Sequence, residues 1–291
     1  MTRIPSFVRL GLVLLCSCAA AVAGRAQTAT GISQLFYTGQ TSTGALQGAG
    51  QQDANWTVTY ASTDGGTQAD SAYEGAAYVI TPAQIASSGY TQNTTQAQWI
   101  TAPGATTGSG ANPNTGGDYL PGNGNTGANE GIYIYTLAFT ISGTGAVGTT
   151  VSNQIQITMT MAADDQYAIY VNPSGNGTTV PTGTAAASQT SAWSNTTQIS
   201  LQNYGPSNNS VFHIGVNYIV VVVDNTNSVQ GSSTSTATNA SGLLVYQTSA
   251  ATIDGHPVPE VATWLPMAGA VVCYGIFLAR RRQPAGRPAP A

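Results

Sequence analysis

The chain has 291 residues, a formal net charge of −4 and only 6 % charged residues. It contains no lysine, and its seven arginines (Arg3, Arg9, Arg25, Arg280, Arg281, Arg282 and Arg287) all stand near the two ends. Its eleven acids lie between them, from Asp53 to Glu260, so the stretch between Arg25 and Arg280 carries −11 and no permanent cation. That excludes a Walker lysine, a lysine nucleophile and an arginine clamp, and leaves nucleic acid without the cations its phosphates require. Solubility falls to Asn, Thr, Ser, Gln and Gly.

In chain order, residues 1–26 read as a secretory signal helix. Arg3 and Arg9 supply a basic start, 10–22 an apolar run too short to span a bilayer, and Ala21-Val22-Ala23 a small-residue cleavage site. Cys16 and Cys18 fall in this leader and Cys273 near the other end, so the exported part has no cysteine for a disulfide or a thiolate metal site. Its stability must come from core burial.

Strand signals follow. Residues 56–60 alternate, 76–80 and 99–100 are short apolar runs, and 132–139 is the strongest run of the first half. Residues 155–161 (Ile-Gln-Ile-Thr-Met-Thr-Met) alternate apolar and polar, which predicts one buried face. An acidic turn at Asp164-Asp165 leads to 167–171. Residues 218–223 (Tyr-Ile-Val-Val-Val-Val) are continuously apolar and β-branched, which predicts burial on both faces. Residues 243–246 close the domain. No helical periodicity of useful length appears outside the ends. The expectation is an all-β fold, an antiparallel β-sandwich of the jelly-roll kind over 27–251. Gly- and Ser-rich stretches at 104–117, 122–129, 175–188 and 230–239 are expected to be disordered, and 252–258 is expected to be a tether.

The C-terminal tenth holds Val258-Pro259-Glu260, an apolar run from Trp264 to Ala279, and Arg280-Arg281-Arg282. It resembles the PEP-CTERM sorting signal of Gram-negative bacteria, with Val261 where the family has its second proline. The resemblance implies a sorting and transmembrane segment at 259–282 with Pro259, Glu260 and the three arginines as its motif. It also implies a short cytoplasmic tail at 283–291 and an exosortase-type enzyme as partner. The arginines would hold the C-terminal end in the cytoplasm and leave the ectodomain outside. That places the chain at the inner membrane first, then at the cell surface or in the exopolysaccharide. A plain membrane anchor without processing is the competing reading. The ordered segments 52–58 (Gln52 to Val58), 98–100 (Gln98-Trp99-Ile100), 163–172 (Ala163 to Asn172), 212–221 (Phe212 to Val221) and 241–245 (Ser241 to Val245) are similar to a galactose-binding-like jelly roll, with Asn172-Pro173 replacing the usual Asn-Gly.

Three groups of side chains are candidates for function. Asp164, Asp165 and Asp224 are carboxylates suited to Ca²⁺, against a structural role in capping a turn. Trp56, Trp99 and Trp193 have rings suited to stacking on a sugar, against a place in the core. Glu74 and Glu130 are the carboxylates a polysaccharide-acting hydrolase would need, and both lie in polar, loop-like sequence. His213 sits in strand-like sequence with no nucleophile motif beside it, and His256 in the expected tether. The function expected is binding of carbohydrate or a matrix component, without catalysis. The alternatives are a purely structural or adhesive matrix protein and, third, a hydrolase.

Overall fold

The computed structural model describes residues 27–62, 69, 71–82, 85–86, 90–103, 131–164, 166–190, 193–206, 208–224 and 241–258. The expected leader, the sorting segment at 259–282 and the tail at 283–291 lie outside them, as do Asp165 and Glu130. Among the described residues no helix is long and apolar enough to cross a membrane.

The strands in chain order are β1 (Ala29–Ser33), β2 (Gln52–Ser62), β3 (Gly75–Val79), β4 (Ile100–Thr101), β5 (Ile132–Gly143), β6 (Ile155–Asp164) and β7 (Gln166–Val171). Then come β8 (Ala187–Gln189), β9 (Thr197–Gln202), β10 (Gly215–Asp224), β11 (Gly242–Gln247), β12 (Thr252–Ile253) and β13 (His256–Pro257). They form one curled, wholly antiparallel sheet in the order β13-β12-β6-β11-β4-β3-β2-β5-β10-β7-β8, with β1 added to β5 and β9 to β6.

The curl follows from where the apolar side chains go. β6 pairs with β9, β11 and β12 and has no ladder to β5 or β10. Yet Ile157, Met159 and Met161 of β6 share one buried cluster with Tyr135, Leu137 and Phe139 of β5 and with Ile219 and Val221 of β10. The sheet therefore folds back so that two inner faces enclose a common core. Each fully buried aliphatic or aromatic side chain contributes roughly 1.5–3 kcal/mol, which is how a domain without a disulfide holds together.

One end of the sheet gathers seven strand termini. Ser62 lies opposite Ile132, Ile132 opposite Asp224, and Asp224 opposite Gln166. Gly242 lies opposite Asp164, and Leu243 opposite Ile100 of the two-residue β4. β6 ends at Asp164 on one side of the curl and β7 begins at Gln166 on the other.

Two expectations are corrected. Residues 252–258 are not a tether: β12 and β13 form a hairpin whose Thr252 and Ile253 pair with Gln156 and Ile155. Ile253 and Val258 pack on the core because they are the apolar positions of that hairpin. Residues 175–188, expected to be disordered, are described throughout and include a 3-10 turn (Ser174–Gly177) and β8 on the edge of β7.

Candidate functional site

The two tryptophans nearest the expected sugar-binding role sit in the interior. Trp56, on the inner face of β2, is fully buried, and its indole N–H donates to the Phe36 carbonyl at 3.1 Å. Trp99 is also fully buried, and its indole N–H donates to the Thr91 carbonyl at 2.7 Å. Neither ring presents a face to solvent. Large apolar rings with one polar atom are accommodated in a core once that atom finds an acceptor. Trp193 is different: it is half-buried and packs against the cluster that holds Trp99.

Tyr90 stacks on Trp99 with centroids 4.3 Å apart, and its hydroxyl donates to Asp164 Oδ2 at 2.7 Å. Asp164 is thus a buried carboxylate built into an aromatic cluster. Asp224 Oδ2 accepts from Gln166 Nε2 at 3.2 Å, where β10 pairs with the start of β7. The strand ends carrying Asp164 and Asp224 meet at one end of the sheet, but the two side chains join different outer faces. Asp165, the third expected metal ligand, lies outside the described residues. Among the described residues no group of three or more His, Cys, Asp or Glu side chains is placed to hold a metal ion.

Asp53 is a buried acid that the sequence did not single out. Its carboxylate accepts backbone N–H bonds from Gly39 (2.6 Å), Asn55 (2.8 Å) and Trp56 (2.9 Å), tying the 36–47 loop to β2. Burial pushes its carboxyl up to about 6, against the three donors that pull it down. Glu74 is half-buried directly after a 3-10 turn (Ser71–Tyr73). His213 is half-buried, and its backbone N–H donates to Asn217 Oδ1 at 2.8 Å. His256 is exposed in β13.

The two outer faces of the curl differ in kind. On the β2–β5–β10–β7 side, Ile134, Val220 and Val222 form a buried patch flanked by Tyr60, Tyr170, Tyr218 and Val180. The 3-10 turn at Ser174–Gly177 caps it. Thr59 Oγ1 lies 2.8 Å from Thr136 Oγ1 and 2.9 Å from the Gly177 carbonyl, to which it donates. Only glycine fits there: φ is +87°, and a Cβ would stand 2.6 Å from Thr136 Oγ1 and 3.1 Å from Val220 Cγ1.

The β9–β6–β11 side carries an uncharged polar ladder instead. Gln156 lies opposite Gln202, Thr158 opposite Ser200, and Thr160 opposite both Gln198 and Tyr246. The side chains are wired in a closed relay. Tyr204 OH donates to Gln156 Oε1 (3.1 Å), Gln156 Nε2 to Ser200 Oγ (2.8 Å), Ser200 Oγ to Gln202 Oε1 (3.2 Å), and Gln202 Nε2 to the Tyr204 carbonyl (3.3 Å). All four residues are half-exposed. Tyr246 and Trp193 stand where the ladder meets the Trp99 cluster. This face, with Gln156, Ser200, Gln202, Tyr204 and Tyr246, is the candidate site. Sequence reasoning passed over its residues, although the polar half of the alternation in 155–161 was their signal.

Compared with known proteins, the chain matches no family model, no curated protein and no solved structure.

Proposed function

We propose that this chain is an exported surface protein whose β domain acts by binding a carbohydrate or matrix component and performs no catalysis. In this reading residues 1–26 carry it across the inner membrane. The segment at 259–282, through Pro259, Glu260 and Arg280-Arg281-Arg282, hands it to an exosortase-type enzyme for release into the envelope or exopolysaccharide. The finer fold assignment, a galactose-binding-like jelly-roll sandwich, belongs to the same proposal. It is supported by two inner faces that share one core.

The single observation that carries the binding reading is the open relay of Gln156, Ser200, Gln202 and Tyr204 beside half-buried aromatic rings. Amides and hydroxyls held in one arrangement present donors and acceptors at fixed places, so little side-chain entropy is lost when a hydroxyl-rich ligand arrives. Rings at the margin offer the apolar surface that the C–H face of a sugar needs. A glycan array probed with the purified protein tests the reading, together with pull-down from the extracellular matrix of the producing cells. Retention of a defined glycan or matrix component supports it. A protein that binds nothing in either assay is structural, and the proposal fails.

A further inference from the structure

Resting on the binding reading above, we infer that the β9–β6–β11 face takes one class of ligand: an uncharged polysaccharide laid across the ladder. The argument is electrostatic first. An anionic polymer such as a uronic-acid chain finds no Lys or Arg anywhere between Arg25 and Arg280. It also meets a stretch that carries eleven acids, so like charge opposes its approach. A cationic polymer would require carboxylates at the contact, and the ladder positions Gln156, Thr158, Thr160, Gln198, Ser200 and Gln202 hold none. What remains in register with the face is a neutral chain of hydroxyls.

The dimensions and chemistry agree. The open rungs of β6 run from Gln156 to Thr158, two residue steps or about 7 Å at the usual strand rise, and Thr160 beyond them is buried. Three strands give it a width of about 10 Å. Tyr204 stands at the Gln156 end, and Tyr246 with Trp193 at the other, so an extended chain meets a ring at each end and amides between. The relay also fixes which end of each Gln amide points where. Gln156 uses its oxygen toward Tyr204 and its nitrogen toward Ser200. Each group keeps a second valence, and in a half-exposed residue that valence is available to a sugar hydroxyl. Gln198 extends the row through Thr248, to whose Oγ1 its Nε2 donates at 2.9 Å. Among the described residues the opposite outer face differs in having an apolar centre, with the Ser174–Gly177 turn standing over Val220.

The test uses the full chain purified in detergent and three soluble probes: a neutral β-glucan, polygalacturonate and chitosan. The expected result is retention of the β-glucan alone, unchanged from low to high salt because no ion pair is involved. Gln156→Ala and Tyr246→Ala should each weaken it by about tenfold or more, Gln156→Ala with the urea midpoint left in place, and Thr57→Ala on the opposite face should do nothing. Preference for polygalacturonate or chitosan overturns the inference but leaves a carbohydrate-binding protein. So does β-glucan binding that Gln156→Ala and Tyr246→Ala do not weaken. Binding to a matrix protein and to no glycan overturns the inference and narrows the broader reading to its protein branch. Binding to nothing overturns both.

Discussion

The outward face of β5 and β10 has an apolar, buried centre, whereas the outward face of β6 and β9 carries half-exposed amides and hydroxyls along Gln156 to Thr158 and Ser200 to Gln202. Val220 lies under a turn pinned by Thr59 and Gly177, in one buried patch with Ile134 and Val222, while Gln156, Ser200 and Gln202 stand half-exposed in a relay of their own. Both faces back onto the same core, so the difference cannot come from the core. It comes from what each strand puts on its second side. A strand apolar on both sides needs a cover, and the cover uses up that face. A strand polar on its second side needs none, and its face remains available. In a protein with no central cation, the uncovered face is the natural place to look for function.

That contrast can be broken most forcefully from the closed side. Ile134→Ala removes a fully buried side chain of that patch, and unfolding in urea should show a loss of about 2–5 kcal/mol. The matching change on the open side, Thr158→Ala, should stay within about 0.5 kcal/mol. Equal losses at the two sites would mean that the faces are not different in kind.

The next effect belongs to neither face and serves as an internal reference. Asp53 has a carboxyl pushed up to about 6 by burial, above the ordinary aspartate value of 3.8. Between those values the folded protein binds a proton that the unfolded chain does not. Stability should therefore rise as pH falls from about 7 toward 4, by up to about 3 kcal/mol from this group. Urea midpoints across that range measure it. Asp53→Asn should flatten the dependence attributable to this group, leaving only the general relief of acid repulsion.

Smaller changes sharpen the picture. Gly177→Ala forces a Cβ against Thr136 and Thr59 at a positive φ, and should cost about 1–3 kcal/mol and loosen the turn. Amide exchange at Thr178, whose N–H donates to the Gly175 carbonyl at 3.0 Å, reads that loosening directly. Tyr90→Phe removes the donor to Asp164 Oδ2 and should cost about 1–2 kcal/mol at neutral pH. If the melting curve of this variant matches the parent, the Asp164 carboxylate is structurally indifferent to Tyr90.

Much of this architecture was written along the chain. The alternation in 155–161 became β6 with Ile157 and Met159 inward and Gln156 and Thr158 outward. The apolar run in 218–223 became the part of β10 that is buried on both faces. The site was less legible. Trp56 and Trp99 drew attention as large rings, yet ring size says nothing about which side of a strand is inside. Burial depends on the register with a distant neighbour, here Trp56 opposite Leu137 of β5. The relay was missed because Gln, Ser and Thr are abundant everywhere in this sequence, and only pairing of β6 with β9 makes neighbours of Gln156 and Ser200.

The sequence alone determined an all-β domain with apolar and polar strand faces in fixed places, because side chains alternate along a strand whatever surrounds it. It also confined every permanent cation to the ends. The tertiary structure decided which outer face is covered, that 252–258 is a docked hairpin, and that a Gly-rich stretch resembling disorder is a cap. Those outcomes rest on contacts such as Thr59 with Gly177, 118 residues apart. Local composition records no such separation; only the fold brings the two together.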